Sequence, residues 1–151
     1  MKNRYLFRGK CADNGEWIVG NLIQLKKPTG DVGCAIQHDF VPENDVEVSH
    51  LTTKIDLATI GQCTGIKDTN GKLTFNGDLL EWWVDGEREF ESTRDVIMYS
   101  DCGLFPKEYY NSDYSNFWND ADNGEVDFEI IGNIHDNPEL MREGKKRCKS
   151  N

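Results

Sequence analysis

Residues 60–79 read IGQCTGIKDTNGKLTFNGDL, and this stretch decides the predicted fold class. Ile60–Lys67 is a strand-like run, and the sequence DTNG at residues 68–71 leads into a second short run, Lys72–Phe75. Asn-Gly between two extended runs is typical of a β-hairpin, because glycine adopts a positive φ without steric cost. The stretch therefore predicts an antiparallel hairpin.

Short extended runs broken by turns continue on both sides of this hairpin. The sequence DNG at residues 13–15 separates two runs near the start, and NGD at residues 76–78 precedes the run Leu79–Val84. Val126–Ile134 alternates apolar side chains with acids, as a half-buried strand does. Pro138 occupies the first position of a predicted short C-terminal helix. Turn signals at this frequency predict a mainly β fold, a small barrel or roll of short antiparallel strands.

Three segments give weaker signals. Residues 31–53 contain only short apolar pieces, around Pro42 and Val46–Val48. Asp56 stands where its carboxylate would cap a single helical turn formed by the next three residues. Residues 109–123 are rich in Tyr, Asn, Ser and Asp, and this composition predicts a long loop held by aromatic anchors.

The length and the distribution of charge limit the function classes. A chain of 151 residues fits one domain over residues 1–151, with room for two small lobes at about residues 1–53 and 54–141. Residues 76–141 contain 17 acidic and three basic residues, a net charge of −14, whereas the tail of residues 142–151 has +4 and is predicted to be solvated and frayed. Because an acidic surface repels phosphate, direct nucleic-acid binding is not expected.

The sequence contains no disulfide framework and no membrane segment. The five cysteines are scattered without C-x-x-C spacing, which argues against both disulfides and zinc ligation. Met1 leads directly into charged residues, without the apolar core of a signal peptide, and no apolar run approaches the roughly 18–20 residues that span a bilayer. We therefore predict a cytoplasmic protein without membrane contact.

Two stretches resemble the YopX family of phage proteins, namely residues 60–79 and residues 128–140, which read FEIIGNIHDNPEL. The sequences FRGK at residues 7–10 and WIVG at residues 17–20 are similar to the start of the family. Cys63 stands where the family usually has an aromatic residue. The resemblance implies an SH3-like barrel, an origin in a phage or prophage, hence a bacterial host cytoplasm, and self-association as a homo-oligomer. It implies no catalytic residues, because the family has none assigned.

No residue pattern identifies a catalytic, cofactor-binding or metal-binding site. His38 and His50, with Asp39 nearby, would hold a metal only if the fold brought them together, and surface histidines are the favoured interpretation. Neither a G-x-S-x-G motif nor a phosphate-binding P-loop occurs. The alternating glutamates of residues 87–91 are typical of a solvated strand face. We therefore predict no catalytic, cofactor or metal residues, and an enzyme is disfavoured.

The aromatic residues of segment 109–122 are the most suggestive feature for binding. They are Tyr109, Tyr110, Tyr114, Phe117 and Trp118. Tyr and Trp dominate interface hot spots, although the same side chains would also pin a long loop onto the fold.

Three hypotheses for the function follow from these observations. The leading one is an accessory protein that acts as a homo-oligomer through contacts with a host or phage protein. An acidic mimic of nucleic acid that occupies a host DNA-binding protein is a second hypothesis, motivated by the net charge of −14 on residues 76–141. A small hydrolase is a third, and it requires a pocket in which a histidine and an acid converge.

Overall fold

The computed structural model describes residues 5–40, 49–89, 91–100, 103–110, 117–141 and 146–147. Contacts divide the chain into two compact units, residues 1–63 and 64–151. Both units consist mainly of antiparallel strands, so the prediction of a mainly β fold is confirmed. Within the described part of the chain, no helix is long and apolar enough to cross a membrane.

The first unit is a series of hairpins. Its strands are β1 (Leu6–Lys10), β2 (Trp17–Lys26), β3 (Val32–Phe40) and β4 (Ser49–Lys54), and β5 (Gly61–Lys67) begins in this unit and continues into the second. Their order across the sheet is β4-β3-β2-β1-β5. The predicted turn between β1 and β2 is confirmed, with Gly15 at a φ of +73°. The register pairs Leu6 with Asn21 and Lys10 with Trp17.

Strands β3 and β4 fall within residues 31–53, where the sequence gave no clear strand signal. In β3, the consecutive residues Cys34, Ala35 and Ile36 are all buried. A strand covered on both faces lacks the apolar–polar alternation that identifies a half-buried strand, and this explains the weak signal. Pro42 and Val46–Val48 lie outside the described residues.

The core of the first unit is small and apolar. Cys34, Ile36 and Ile55 form its buried centre, with Ile18, Leu22 and Ile60 packed against it. Beside it, Asp56 caps the 3-10 helix Leu57–Thr59, because its Oδ1 accepts a hydrogen bond from the Ala58 amide at 3.0 Å. The predicted helical turn at this position is therefore confirmed.

The second unit contains a five-stranded sheet. Its strands are β6 (Leu73–Phe75), β7 (Asp78–Val84), β8 (Glu91–Ser100), β9 (Gly103–Pro106), β10 (Val126–Asn133) and β11 (Lys146–Arg147). β6 pairs with β5, and the five-stranded sheet has the order β10-β7-β8-β11, with β9 also paired to β8. Its helices are α1 (Lys107–Tyr110), α2 (Phe117–Asp122) and the 3-10 helix Pro138–Met141, which occupies the position of the predicted C-terminal helix.

The predicted barrel is wrong for the described residues, because the sheets remain open. A barrel closes when the two outermost strands of one sheet pair with each other. In the five-stranded sheet the outermost strands are β10 and β11, which do not pair, and β4 forms an open edge in the first unit. The frequent turn signals reflect successive hairpins. Successive hairpins occur both in open sheets and in closed barrels, so these signals do not predict closure.

Two further predictions differ from the structure. Residues 109–123 are not one long loop, because α1 ends within them and α2 lies within them. Tertiary contacts hold the two helices: Asp95 accepts a hydrogen bond from the Tyr109 amide at 3.0 Å, and Phe117 is buried. Helices this short depend on such tertiary contacts and not on sequence periodicity. The basic tail is not entirely frayed, because β11 pairs with Glu91 and Ser92 of β8.

Candidate functional site

The histidines considered as metal ligands are placed on two neighbouring strands. His38 on β3 lies opposite Leu51, while His50 on β4 lies opposite Asp39. His38 Nε2 is 2.9 Å from Thr53 Oγ1. The side chain of His50 lies outside the described part of the structure. Across the described residues, no group of three or more His, Cys, Asp or Glu side chains is arranged to hold a metal ion.

The aromatic residues of segment 109–122 mainly build the core of the second unit. Phe117 is 1% exposed, and its ring centroid lies 4.8 Å from Tyr109, 5.0 Å from Trp118 and 5.4 Å from Phe128. The indole of Trp118 donates to the Leu104 carbonyl at 2.6 Å. The side chains of Tyr110 and Tyr114 are not among those described. The described rings therefore anchor the segment to the fold, which is the second of the two roles that the sequence suggested for them.

One cavity of the second unit has a composition suited to binding. It has a volume of about 420 Å³, and its described lining includes two aromatic and four acidic residues: Trp82, Tyr109, Asp85, Glu87, Asp120 and Glu125. Val84, Thr93 and Val126 complete the described lining. We call this the acidic cavity.

The wall of the acidic cavity is built on the core face of the five-stranded sheet. Trp82 of β7 lies between Thr93 of β8 and Phe128 of β10 in the strand register. Tyr109 meets the Trp82 ring edge-on, with centroids 5.0 Å apart, and donates its hydroxyl to Asp120 Oδ2 at 2.6 Å. The indole Nε1 of Trp82 is buried, and no described residue accepts a hydrogen bond from it. Trp82 is only partly buried, so it contributes surface to the cavity.

A tight turn after β7 positions two of the acids. Asp85 and Gly86 have φ values of +54° and +71°, and the Glu87 amide donates to the Val84 carbonyl at 3.1 Å. Two consecutive positive φ values are characteristic of a type I′ turn, and Asp-Gly is a preferred sequence for it. The backbone therefore holds Asp85 and Glu87 at the edge of the cavity.

The end of α2 positions the other two acids. Gly124 has a φ of +78° and donates to the Ala121 carbonyl at 3.2 Å, while the Glu125 amide donates to the Asp120 carbonyl at 2.9 Å. This pair of hydrogen bonds is the Schellman motif, which ends a helix at a left-handed glycine. It fixes the backbone of Asp120 relative to that of Glu125, so both acids reach the cavity from one rigid turn.

The four carboxylates of the acidic cavity have no cationic partner among the described residues. Arg88, on the same turn as Glu87, is paired elsewhere. Its guanidinium lies 3.0 Å from Glu81 and 2.7 Å from Glu129, and it stacks over the Trp83 ring at 4.6 Å. Because successive strand residues face opposite sides, Glu81 and Trp83 point away from the side of β7 that carries Trp82. Within the described part of the chain, the negative charge of the cavity is therefore not compensated by a cation.

The pKa of Glu81 shows that Arg88 stabilises the ionised carboxylate of Glu81. Burial raises the pKa of Glu81, but the hydrogen bonds from Ser92 and Arg88, together with the positive charges of Arg88 and Arg94, outweigh burial and hold it below the ordinary value of 4.5. Ser92 donates to Glu81 Oε1 at 2.7 Å. Glu81 and Glu129 lie directly opposite each other in the register, and Arg88 bridges them. This cluster stabilises the sheet, because it neutralises two facing like charges.

The chemistry of the acidic cavity suits a cation with an apolar stem. Carboxylates attract positive charge, and an aromatic face binds cations with weakly hydrated heads. Its described lining contains acids but no histidine, so the His–acid pair required by the hydrolase hypothesis is not found among these residues. The sequence did not single out Asp85, Asp120 or Glu125; the net charge of residues 76–141 was the only signal for them.

Comparison with known proteins gives the family and the fold. The model of the family described as YopX protein matches residues 6–142. The crystal structure of protein EF1440 from Enterococcus faecalis is similar, with 23% sequence identity and a TM-score of 0.50, covering 89% of this chain and 96% of that chain. No curated protein matches the chain. Since the family model covers most of the sequence, including both stretches that suggested it, the chain belongs to the YopX family.

Proposed function

We propose that this protein is a non-enzymatic accessory protein of phage or prophage origin, and that its second unit binds a basic segment of a partner protein. The observation that supports this proposal is the set of four carboxylates around the acidic cavity, none of which is paired with a described cation. Soluble domains usually intersperse charges of both signs. Uncompensated acids beside an aromatic wall favour a basic partner, because association removes their mutual repulsion.

The mimic of nucleic acid is a special case of the same proposal. In that case the basic partner is a host DNA-binding protein, and the acidic surface occupies its DNA site. The net charge of −14 on residues 76–141 supports this possibility without distinguishing it from other basic partners. Competition with duplex DNA distinguishes a DNA-binding partner from other basic partners, since only a DNA-binding protein would be released by DNA.

Self-association is a further part of the proposal. β4 is the outermost strand of the first unit's sheet and pairs with β3 on one side, and no described strand pairs with its other side. Two open edges related by a twofold axis can join into one continuous sheet. A molar mass measured by light scattering that rises toward twice the monomer mass with concentration supports self-association. A constant monomer mass at millimolar concentration contradicts it.

Capture from a bacterial lysate tests the central proposal. The immobilised full-length chain is exposed to lysate at about 50 mM and about 500 mM salt, with and without duplex DNA, and bound proteins are identified. Capture of proteins with basic surfaces that falls steeply with salt is the expected result. Capture that is insensitive to salt, or a bound set without basic proteins, contradicts the proposal.

A further inference from the structure

We propose that the acidic cavity is a binding site for one arginine side chain of the partner. This inference rests on the proposed function and names the group that is recognised. It assigns the cavity a ligand class, a planar guanidinium carried on an apolar stem.

Two well-defined backbone turns carry the four acids of the cavity. Asp85 and Glu87 come from a turn with two positive φ values, and Asp120 and Glu125 come from the Schellman motif at the end of α2. Glu87 and Glu125 are exposed and make no side-chain hydrogen bond with a described residue. Because their backbone positions are fixed beside one cavity, the acids lose less freedom when they hold a cation together.

The aromatic wall favours arginine over lysine. A guanidinium is planar, is less strongly hydrated than an ammonium group, stacks on aromatic rings and forms paired hydrogen bonds with carboxylates. The same unit contains an example of this recognition in Arg88, which stacks over Trp83 at 4.6 Å while it pairs with Glu81 and Glu129. The acidic cavity offers a similar set of groups, a tryptophan with flanking carboxylates, without a described cation.

The indole of Trp82 supplies a second, independent indication of a ligand. Its Nε1 is buried and has no acceptor among the described residues. A buried donor without an acceptor is unfavourable, and such groups are uncommon in folded proteins. Because Nε1 has almost no exposed surface, a backbone carbonyl that enters with the arginine satisfies this donor only if the Trp82 side chain turns toward it as the peptide binds. The ligand is therefore an arginine within a peptide.

Titration with short peptides tests this inference. The probes are the acetylated, amidated peptide Gly-Gly-Arg-Gly-Gly and two analogues with lysine or citrulline in place of arginine, added to the full chain at low salt and followed by calorimetry. Citrulline has nearly the shape of arginine but no charge. We expect the citrulline peptide to bind at least about tenfold more weakly than the arginine peptide, and the lysine peptide several-fold more weakly.

Two charge-matched double variants localise the binding. Glu87→Gln with Glu125→Gln removes two acids of the cavity, and Asp13→Asn with Glu16→Gln removes two exposed acids of the first unit. The first pair should weaken the arginine peptide at least about tenfold, while the second should change its affinity less than about twofold. Both variants keep side-chain size, so folding is expected to be retained and is checked by circular dichroism.

Three outcomes overturn the proposal that the acidic cavity binds arginine: no binding of the arginine peptide, equal affinity for the arginine and citrulline peptides, or equal effects of the two double variants. If one of these three outcomes occurs while salt-sensitive capture of basic proteins persists, the protein still binds a basic partner, but it does not do so through the acidic cavity. If capture fails as well, the proposed function is also wrong.

Discussion

The Oδ2 atom of Asp68 accepts a hydrogen bond from the backbone amide of Ile130 at 3.1 Å, across 62 positions of the sequence. The Oδ1 atom of Asp68 accepts from the amides of Asn70 and Lys72 at 3.0 and 2.8 Å, within the turn between β5 and β6. Next to it, the Thr69 amide donates to the Phe128 carbonyl at 3.0 Å. One buried carboxylate thus joins the two stretches by which the sequence resembled its family.

Replacement of Asp68 is expected to destabilise the fold strongly. Asp68→Ala leaves three backbone amides without their acceptor, so we expect a loss of about 2–4 kcal/mol in the free energy of unfolding. Asp68→Asn should also be costly, because its NH₂ group would face either the Ile130 amide or the turn amides. Urea unfolding measures both, with exposed Asp13→Ala as the control. A loss below about 0.5 kcal/mol for Asp68→Ala contradicts this role.

The turn that contains Gly77 requires glycine because of its positive φ, and a side chain larger than a methyl group would also meet Ile134. Gly77 has a φ of +88°, and a Cβ placed there would lie 3.4 Å from side-chain atoms of Ile134. Gly77→Val should cost roughly 1–3 kcal/mol, because β-branched residues tolerate this region poorly. Gly71 has a φ of +82° and nothing within 4 Å of such a Cβ, so Gly71→Val reports backbone strain alone.

Thermal unfolding of both glycine variants separates strain from crowding. Gly77→Val is expected to lower Tm more than Gly71→Val, because the Cγ atoms of valine extend beyond a Cβ that already contacts Ile134. Equal decreases would show that the contact with Ile134 contributes nothing. An unchanged Tm for both would contradict the requirement for positive φ.

The bridge formed by Arg88 can be tested with a double-mutant cycle. Arg88→Met keeps much of the stem but leaves Glu81 and Glu129 facing each other, and we expect a loss of about 1–2 kcal/mol. Glu129→Gln should destabilise the wild type slightly but stabilise the Arg88→Met variant, because it then removes repulsion. The unfolding free energies of the four proteins give the coupling. The same effect of Glu129→Gln in both backgrounds would exclude the bridge.

The lowered pKa of Glu81 predicts loss of stability in acid. Because the pKa of Glu81 is lower in the folded state, its contribution is present above the unfolded value near 4.5 and is lost as the pH falls through the folded value. Unfolding free energies measured from about pH 7 to about pH 3 should therefore fall more steeply for the wild type than for Glu81→Gln. Parallel curves would refute a depressed pKa.

Much of the fold was predictable because local turn chemistry determines it. The Asn-Gly and Asp-Gly sequences at residues 14, 70, 76 and 85 mark turns with positive φ at their glycines, and the Asp56 cap needed only neighbouring residues. β3 was missed because burial on both faces hides its periodicity. Sheet closure was wrongly predicted because pairing between distant strands leaves no local pattern.

The candidate site was predictable only as an excess of acid. Which carboxylates share a cavity depends on the type I′ turn after β7, the end of α2 and the register of Trp82 with Thr93, and these elements are far apart in sequence. The alternating glutamates of residues 87–91 were interpreted as one strand face, yet β8 begins only at Glu91. Tertiary structure therefore decided which acids matter.

The indole resonances of the four tryptophans test the account most directly. A ¹⁵N-labelled sample of the full chain is titrated with the arginine pentapeptide, and the Nε1–H signals of Trp17, Trp82, Trp83 and Trp118 are followed. The account predicts a saturable shift of the Trp82 signal, whose donor lacks an acceptor among the described residues, and no shift for Trp17 in the first unit. A Trp82 signal that does not move at saturating peptide, or four signals that move together, would contradict it.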